Sequence, residues 1–212
     1  MYVFRGAARR FRAISLSGAK IAGYKELRME YTFHIFNKLA ADGVSAAAEK
    51  FLDGEMPVIV CVGSDLAIGD SLGPVCGSML QYKTRGLPVF VYGTLPSPVT
   101  AKEIPYLRSF LKDTHAGKKI LAVDAAVGGA GDVGLVKIND NALLPGAGAN
   151  KKLGAIGDIS VMGIVAEKSV NNFGLLNSTR FHLVYSMAEI ISEGLAAVLW
   201  EIYGNKKSAG RI

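Results

Sequence analysis

Two carboxylates carry the most chemistry in this sequence. Asp70 lies in Val58-Ile-Val-Cys-Val-Gly-Ser-Asp-Leu-Ala-Ile-Gly-Asp-Ser-Leu-Gly-Pro74, which reads as a buried strand, a polar turn and a helix start. Asp124 ends a second apolar run, Ile120-Leu-Ala-Val-Asp124. If these two strands are neighbours, the carboxyls meet at the carboxyl edge of one sheet, where open α/β sheets bind ligands at a switch in strand order. Two carboxyls within hydrogen-bond range do not both ionise cheaply. They share a proton, one acting as base and the other as acid, which is apparatus for activating a water against a peptide carbonyl. Spacing alone favours a plainer reading, because aspartate is an ordinary helix cap, as at Asp70, and an ordinary turn former, as at Asp124.

Other chemistries have less behind them. Gly129-Ala-Gly-Asp-Val-Gly134 matches G-x-G-x-x-G after a strand, but it leads into Leu-Val-Lys-Ile, a strand pattern, so no helix N-terminus is offered to a pyrophosphate. Gly146-Ala-Gly-Ala-Asn-Lys-Lys152 lacks the Gly-Lys-Ser/Thr of a phosphate loop. His34, His115 and His182 are scattered, and a metal set of Asp70, Asp124 and one histidine has no support from spacing. His182 reads as a satisfied histidine among core positions of the last helix. No metal or other cofactor is expected. Cys61 and Cys76 sit in apolar contexts and read as buried reduced thiols, inert as nucleophiles. No nucleophile elbow surrounds Ser71.

The elements that must position the two aspartates follow from periodicity. Residues 29–53 read as one or two helices, with Phe33, Phe36, Leu39, Val44, Ala47 and Phe51 as an apolar stripe broken near Asp42-Gly43. Residues 57–63 form a continuous apolar run of the kind found in buried parallel strands. Asp70 then caps a helix reaching about Tyr82, with Pro74 tolerated in its first turn. Residues 88–92 read as a strand, 99–113 as a helix with Ile104, Leu107, Phe110 and Leu111 on its apolar side, and 119–124 as the next strand. This alternation implies right-handed crossovers and a parallel sheet. Residues 135–138 read as an edge or antiparallel strand, 157–167 as a strand, and a long helix opens at Leu175 or Thr179 and runs to about Tyr203. The fold class expected is α/β, a three-layer α/β/α architecture with a mostly parallel twisted sheet.

The chain has 212 residues and half are hydrophobic, enough for one α/β domain with a sizeable core. The net charge of +6 is uneven: residues 1–28 hold seven of the 24 basic residues and one of the 18 acidic ones, so the body is neutral. The high pI therefore gives no nucleic-acid face. Nothing approaches a transmembrane span, and the N-terminus lacks the apolar core of a secretory signal. The organisation expected is a basic arm over 1–28, a helical segment over 29–55 and one α/β unit over 56–205, in the cytoplasm, without a nucleic-acid or membrane partner; self-association is left open.

Ordered segments then point further. Asp70-Ser-Leu-Gly-Pro74 after an apolar strand and Gly63 resembles a segment of germination protease, the spore endopeptidase. Val123-Asp-Ala125 resembles its second aspartate segment, and Pro145-Gly-Ala-Gly-Ala-Asn150 its glycine loop, in the same order. Gly63–Pro74, Val91-Tyr-Gly-Thr-Leu95, the Pro-Gly-Ala-Gly loop and Asn177-Ser-Thr-Arg180 are closer still to the smaller sporulation proteins of the YyaC type, over roughly residues 57–203. Both groups share the fold of hydrogenase maturation proteases. The resemblance implies that fold, a protein or peptide substrate in a spore-former, and catalytic roles for Asp70 and Asp124. Asp65, Ser71, Gly93, Pro145, Gly146, Gly148 and Asn150 would line the substrate. The alternatives to a peptidase are a sporulation factor that keeps the fold and only binds a partner, and a metal-dependent maturation protease, although no histidine can be placed for the latter. The chain lacks an evident counterpart of germination protease's propeptide and inserted regions.

Overall fold

The structure, a computed structural model, describes residues 29–145, 154–168 and 172–210. The arm over 1–28 and the loop positions Gly146, Gly148 and Asn150 lie outside the described residues.

Six strands form one sheet: β1 (Glu30–His34), β2 (Val58–Cys61), β3 (Phe90–Tyr92), β4 (Ile120–Gly128), β5 (Leu135–Asn139) and β6 (Ile159–Glu167), in the order β1-β5-β6-β4-β2-β3. β2 runs parallel to both β3 and β4, and β4 runs parallel to β6; β5 is antiparallel to both its neighbours. The helices are α1 (Ala40–Leu52), α2 (Leu72–Lys83), α3 (Ile104–Thr114), α4 (Asn172–Ser178) and α5 (Phe181–Ser208).

Alternation along the central strands sorts the layers, because successive side chains point to opposite faces. Ile59, Cys61, Leu121 and Val123 join the apolar sides of α1, α2 and α5 in the larger core. Val58, Val60, Val62 and Ala122 face Ile104 and Leu111 of α3 in the smaller one. β2 is thus buried on both faces, which explains its unbroken apolar run. The α/β class, the three layers and the mostly parallel sheet agree with the strand–helix alternation.

α5 is the main girder. Val184, Met187, Ile191, Leu195, Val198, Leu199 and Ile202 are buried along it against α1 and α2, each worth roughly 1.5–3 kcal/mol relative to exposure. By length and composition α5 could cross a membrane, which qualifies the expectation that nothing approaches a span. Its burial against two other helices is what a core helix of this type shows. Trp200 Nε1 donates to the Lys83 carbonyl at 3.0 Å, satisfying a free carbonyl near the end of α2, and Lys83 pairs with Glu193 across the same helices.

Several expected elements are corrected. Residues 30–34 are a strand, not helix: Tyr31, Thr32 and Phe33 suit a pleated surface, and β1 pairs along β5 from Glu30↔Asn139 to His34↔Leu135. The segment 29–55 therefore contributes an edge strand, and the folded unit begins before residue 56. Phe36 and Leu39 of the supposed stripe are exposed, because they fall in the turn between β1 and α1. β5 is the antiparallel strand that one of its two readings expects, but it is interior rather than an edge, since β1 covers it. Helix α3 starts at Ile104, not 99, with Pro105 in its first turn. The last helix is two, broken by a bend at Thr179 and the extended Arg180.

Candidate functional site

The chain passes from β2 through α2 to β3 on one side and returns through α3 to β4 on the other. Strand order therefore switches between β2 and β4, and the carboxyl ends of these strands frame the crevice where α/β sheets place ligands. Both aspartates are built at that point.

The β2 end is a tight reversal. Gly63 has φ +142°, and a Cβ there would stand 2.1 Å from the Asp70 carbonyl oxygen. Ser64 N–H donates to that same oxygen at 3.1 Å. A Cβ on Gly73 would meet the Val62 carbonyl oxygen at 1.9 Å, so the first turn of α2 rests directly on the end of β2. Only glycine permits either approach. Between them, a 3-10 turn over Gly69–Ser71 is closed by Asp70 N–H to Ala67 O at 3.0 Å and Ser71 N–H to Ile68 O at 3.2 Å. Asp70 is consequently not the helix cap that its spacing predicts. The turn runs without a break into α2, whose cap position is Ser71, and Ser71 makes no side-chain cap bond. The turn packs beside β4, which brings Asp70 toward Asp124.

Asp124 is not at a strand tip either. β4 continues to Gly128, while β2 ends at Cys61, opposite Val123. Asp124 is the first β4 residue beyond the end of β2. Its side chain is buried, with 8% of the residue exposed, and Oδ1 accepts the backbone N–H of Ala125 at 2.8 Å. Burial pushes its pKa well above the usual carboxylate range, the negative charge of Asp70 pushes further the same way, and the Ala125 N–H pulls weakly back. One carboxyl held toward its neutral form beside a second carboxylate can donate a proton while its neighbour accepts one.

Of the other residues expected in the site, Asp65 is exposed on the turn before Asp70. Ser71 is buried, and its hydroxyl donates to Ile68 O at 2.7 Å within the turn. Gly93 is buried, and a Cβ on it would stand 1.8 Å from the Cys61 carbonyl oxygen; it serves the packing of β3 on β2. Pro145 is buried at the margin of the described residues. The structure brings Asp70 and Asp124 into electrostatic reach of each other.

No histidine joins them among the described residues. His115 is buried, with Nε2 2.8 Å from the Tyr92 hydroxyl and rings of Phe90, Tyr92 and Phe110 around it. His34 Nδ1 accepts the Phe36 N–H at 3.2 Å. His182 is exposed on the first turn of α5, with Nδ1 3.5 Å from the Ser186 hydroxyl, and is not the core residue its position suggests. Among the described residues, no group of three His, Cys, Asp or Glu is placed to hold a metal ion. Cys61 and Cys76 are buried free thiols; the hydrogen bond between them and then burial push the Cys61 thiol up, so it stays unreactive. A cavity of about 510 Å³ exists, but at the opposite end of the sheet, between the end of α3 and Asp158.

Sequence reasoning passed over the main chain of β4 beyond Asp124. The signal was present in the small and apolar run Ala125-Ala-Val-Gly128, which prolongs the strand.

Fold and site together define an α/β protein in which the buried Asp124 feels the charge of the partly exposed Asp70 at a strand-order switch. A family model described as a protein of unknown function (DUF1256) matches residues 32–194, and the chain belongs to that family. It is 40% identical over 144 residues to the uncharacterized protein YyaC of Bacillus subtilis (strain 168), covering 68% of this chain and 69% of that one. Among solved structures it is similar to a [NiFe] hydrogenase maturation protease, HycI, from Thermococcus kodakarensis KOD1, with 17% identity, a TM-score of 0.47, and coverage of 72% of this chain and 98% of that one.

Proposed function

We propose that the protein is a peptidase that hydrolyses a protein substrate with Asp70 and Asp124 as its acid–base pair. The observation that carries this reading is the buried Asp124 carboxyl, held toward its protonated form by burial and by the charge of Asp70 at the switch point. The resemblance of Asp70–Pro74 and Val123–Ala125 to the aspartate segments of germination protease, and of Gly63–Pro74 to YyaC-type sporulation proteins, supports it.

In this reading, the ionised Asp70 carboxylate takes a proton from water as the water oxygen attacks the scissile carbonyl carbon. Asp124 gives its proton to the carbonyl oxygen, yielding a neutral gem-diol. The C–N bond then breaks. Asp70 returns its proton to the leaving nitrogen, and Asp124 recovers one from a gem-diol hydroxyl. Peptide and water become acid and amine, with both side chains restored. General acid–base catalysis of this kind contributes about 10²–10⁴-fold per group.

The test is cleavage of β-casein, a chain without a stable fold, followed by mass spectrometry of new termini. Asp70→Asn and Asp124→Asn, each at wild-type abundance, should lower the rate at least about a hundredfold. Either variant cleaving at the wild-type rate removes the pair from the mechanism. Absence of cleavage by the wild-type protein leaves the partner-binding alternative as the better account.

A further inference from the structure

β4 outruns β2 by five residues. Its register with β6 extends to Gly128, whereas its register with β2 stops at Val123. In a strand, successive residues aim their N–H and C=O groups to alternate sides. Val123 O accepts the Val62 N–H at 2.7 Å, so Val123 faces β2; Gly128 O accepts the Lys168 N–H at 2.7 Å, so Gly128 faces the other way. Ala125 and Val127 therefore present their main-chain groups to the place β2 has vacated. Among the described residues no strand pairs there, and no hydrogen bond engages the Ala125 carbonyl or the Val127 amide. Residues 125–128 are all partly exposed.

This open edge is continuous with the carboxylates. The Ala125 N–H points to the vacated side, and it is bonded to Asp124 Oδ1. The Asp124 carboxyl is thereby drawn toward that side of the strand.

We propose that the substrate binds as an extended peptide strand added to the open edge of β4 at Ala125–Val127, in line with β2. The proposal rests on the peptidase reading of the same site and names the form its substrate takes: an unfolded tail or loop, not a folded surface. The occupant is set by hydrogen-bond complementarity. A strand running parallel to β4 places one residue opposite Ala126, whose N–H bonds the Ala125 carbonyl and whose C=O accepts the Val127 N–H. Strand spacing of about 4.8 Å puts that backbone beside the Asp124 carboxyl. β2 cannot fill the place itself, because the reversal at Gly63 carries the chain into α2.

The experiment uses the full chain carrying Asp124→Asn, so binding is read without turnover, with β-casein as the probe. Hydrogen exchange should slow at least tenfold at the Val127 amide when the probe is saturating. Adding Val127→Pro removes a donor that no sheet bond uses, a position where an edge strand tolerates proline, and should weaken probe binding at least tenfold. Val127→Ala should leave binding within twofold. The inference is overturned if exchange at Val127 does not respond to the probe, if the amide is already protected without it or becomes so with rising protein concentration, or if Val127→Pro binds normally. Failure of the peptidase reading looks different: the amide is protected by the probe, yet Asp70→Asn and Asp124→Asn cleave it like wild type.

Discussion

Asp70 reinforces what burial does to Asp124: both hold the Asp124 carboxyl toward its neutral form, against the pull of the Ala125 N–H. The relationship has a thermodynamic consequence. An unfolded aspartate titrates near about 3.9, and the folded one titrates higher, so folding takes up a proton between the two values. Stability from this group is fully present below the unfolded value and declines as pH rises through the folded one. Asp124→Asn lacks the titration and keeps an oxygen for the Ala125 N–H. Its melting temperature should match wild type near pH 4 and exceed it increasingly toward neutral pH, by about 2–4 °C for each kcal/mol in a chain of this size. A variant less stable than wild type at pH 7 contradicts the burial argument.

Removing the Asp70 charge isolates its share. In Asp70→Asn, the Asp124 titration followed by carboxyl carbon NMR should move down from its wild-type midpoint. It should remain above the ordinary aspartate range, because burial is the larger cause. No movement would mean that the two carboxyls do not interact. A fall to the ordinary value would mean that burial contributes little.

The reversal that carries Asp70 depends on backbone packed on backbone. Gly73→Ala places a Cβ 1.9 Å from the Val62 carbonyl oxygen, and neither partner is the end of a flexible side chain. The turn must move off β2, at about 3 kcal/mol or more. Gly131→Ala is the matched control, since its Cβ meets nothing within 4 Å. Thermal melts should show a large loss for the first and little change for the second. Equal melts would mean that α2 can shift without strain.

Much of this was legible in the residues. The apolar runs of β2 and β4 were visible because buried parallel strands leave no polar face, and the alternation with α2 and α3 implied one parallel sheet holding both, while their adjacency came only with the structure. The roles of Asp70 and Asp124 within those elements were not. A 3-10 turn continuous with α2 has the same local sequence as a capped helix. A strand that outlasts its neighbour looks the same as one followed by a turn, because Ala125–Gly128 pair with β6, some 40 residues away in sequence. β1 was missed for the same reason: Glu30–His34 is short, and its partner β5 lies about a hundred residues on. Local pattern carries no information about which distant strand supplies the hydrogen bonds.

His115 offers a final check on how far the site extends. Its ring is buried among Phe90, Tyr92 and Phe110, and Nε2 meets the Tyr92 hydroxyl at 2.8 Å. These contacts tie α3 to β3, and none of them reaches Asp70 or Asp124. Tyr92→Phe keeps the ring packing and removes the hydroxyl, leaving a buried imidazole nitrogen unpaired, which costs about 1–3 kcal/mol. The melting temperature should fall by about 2–4 °C per kcal/mol, while cleavage of β-casein below the melt, with its dependence on pH, stays as in wild type. A change in that pH dependence would show that the Tyr92–His115 pair bears on the acid–base chemistry proposed for Asp70 and Asp124, and the proposal would then have to include it.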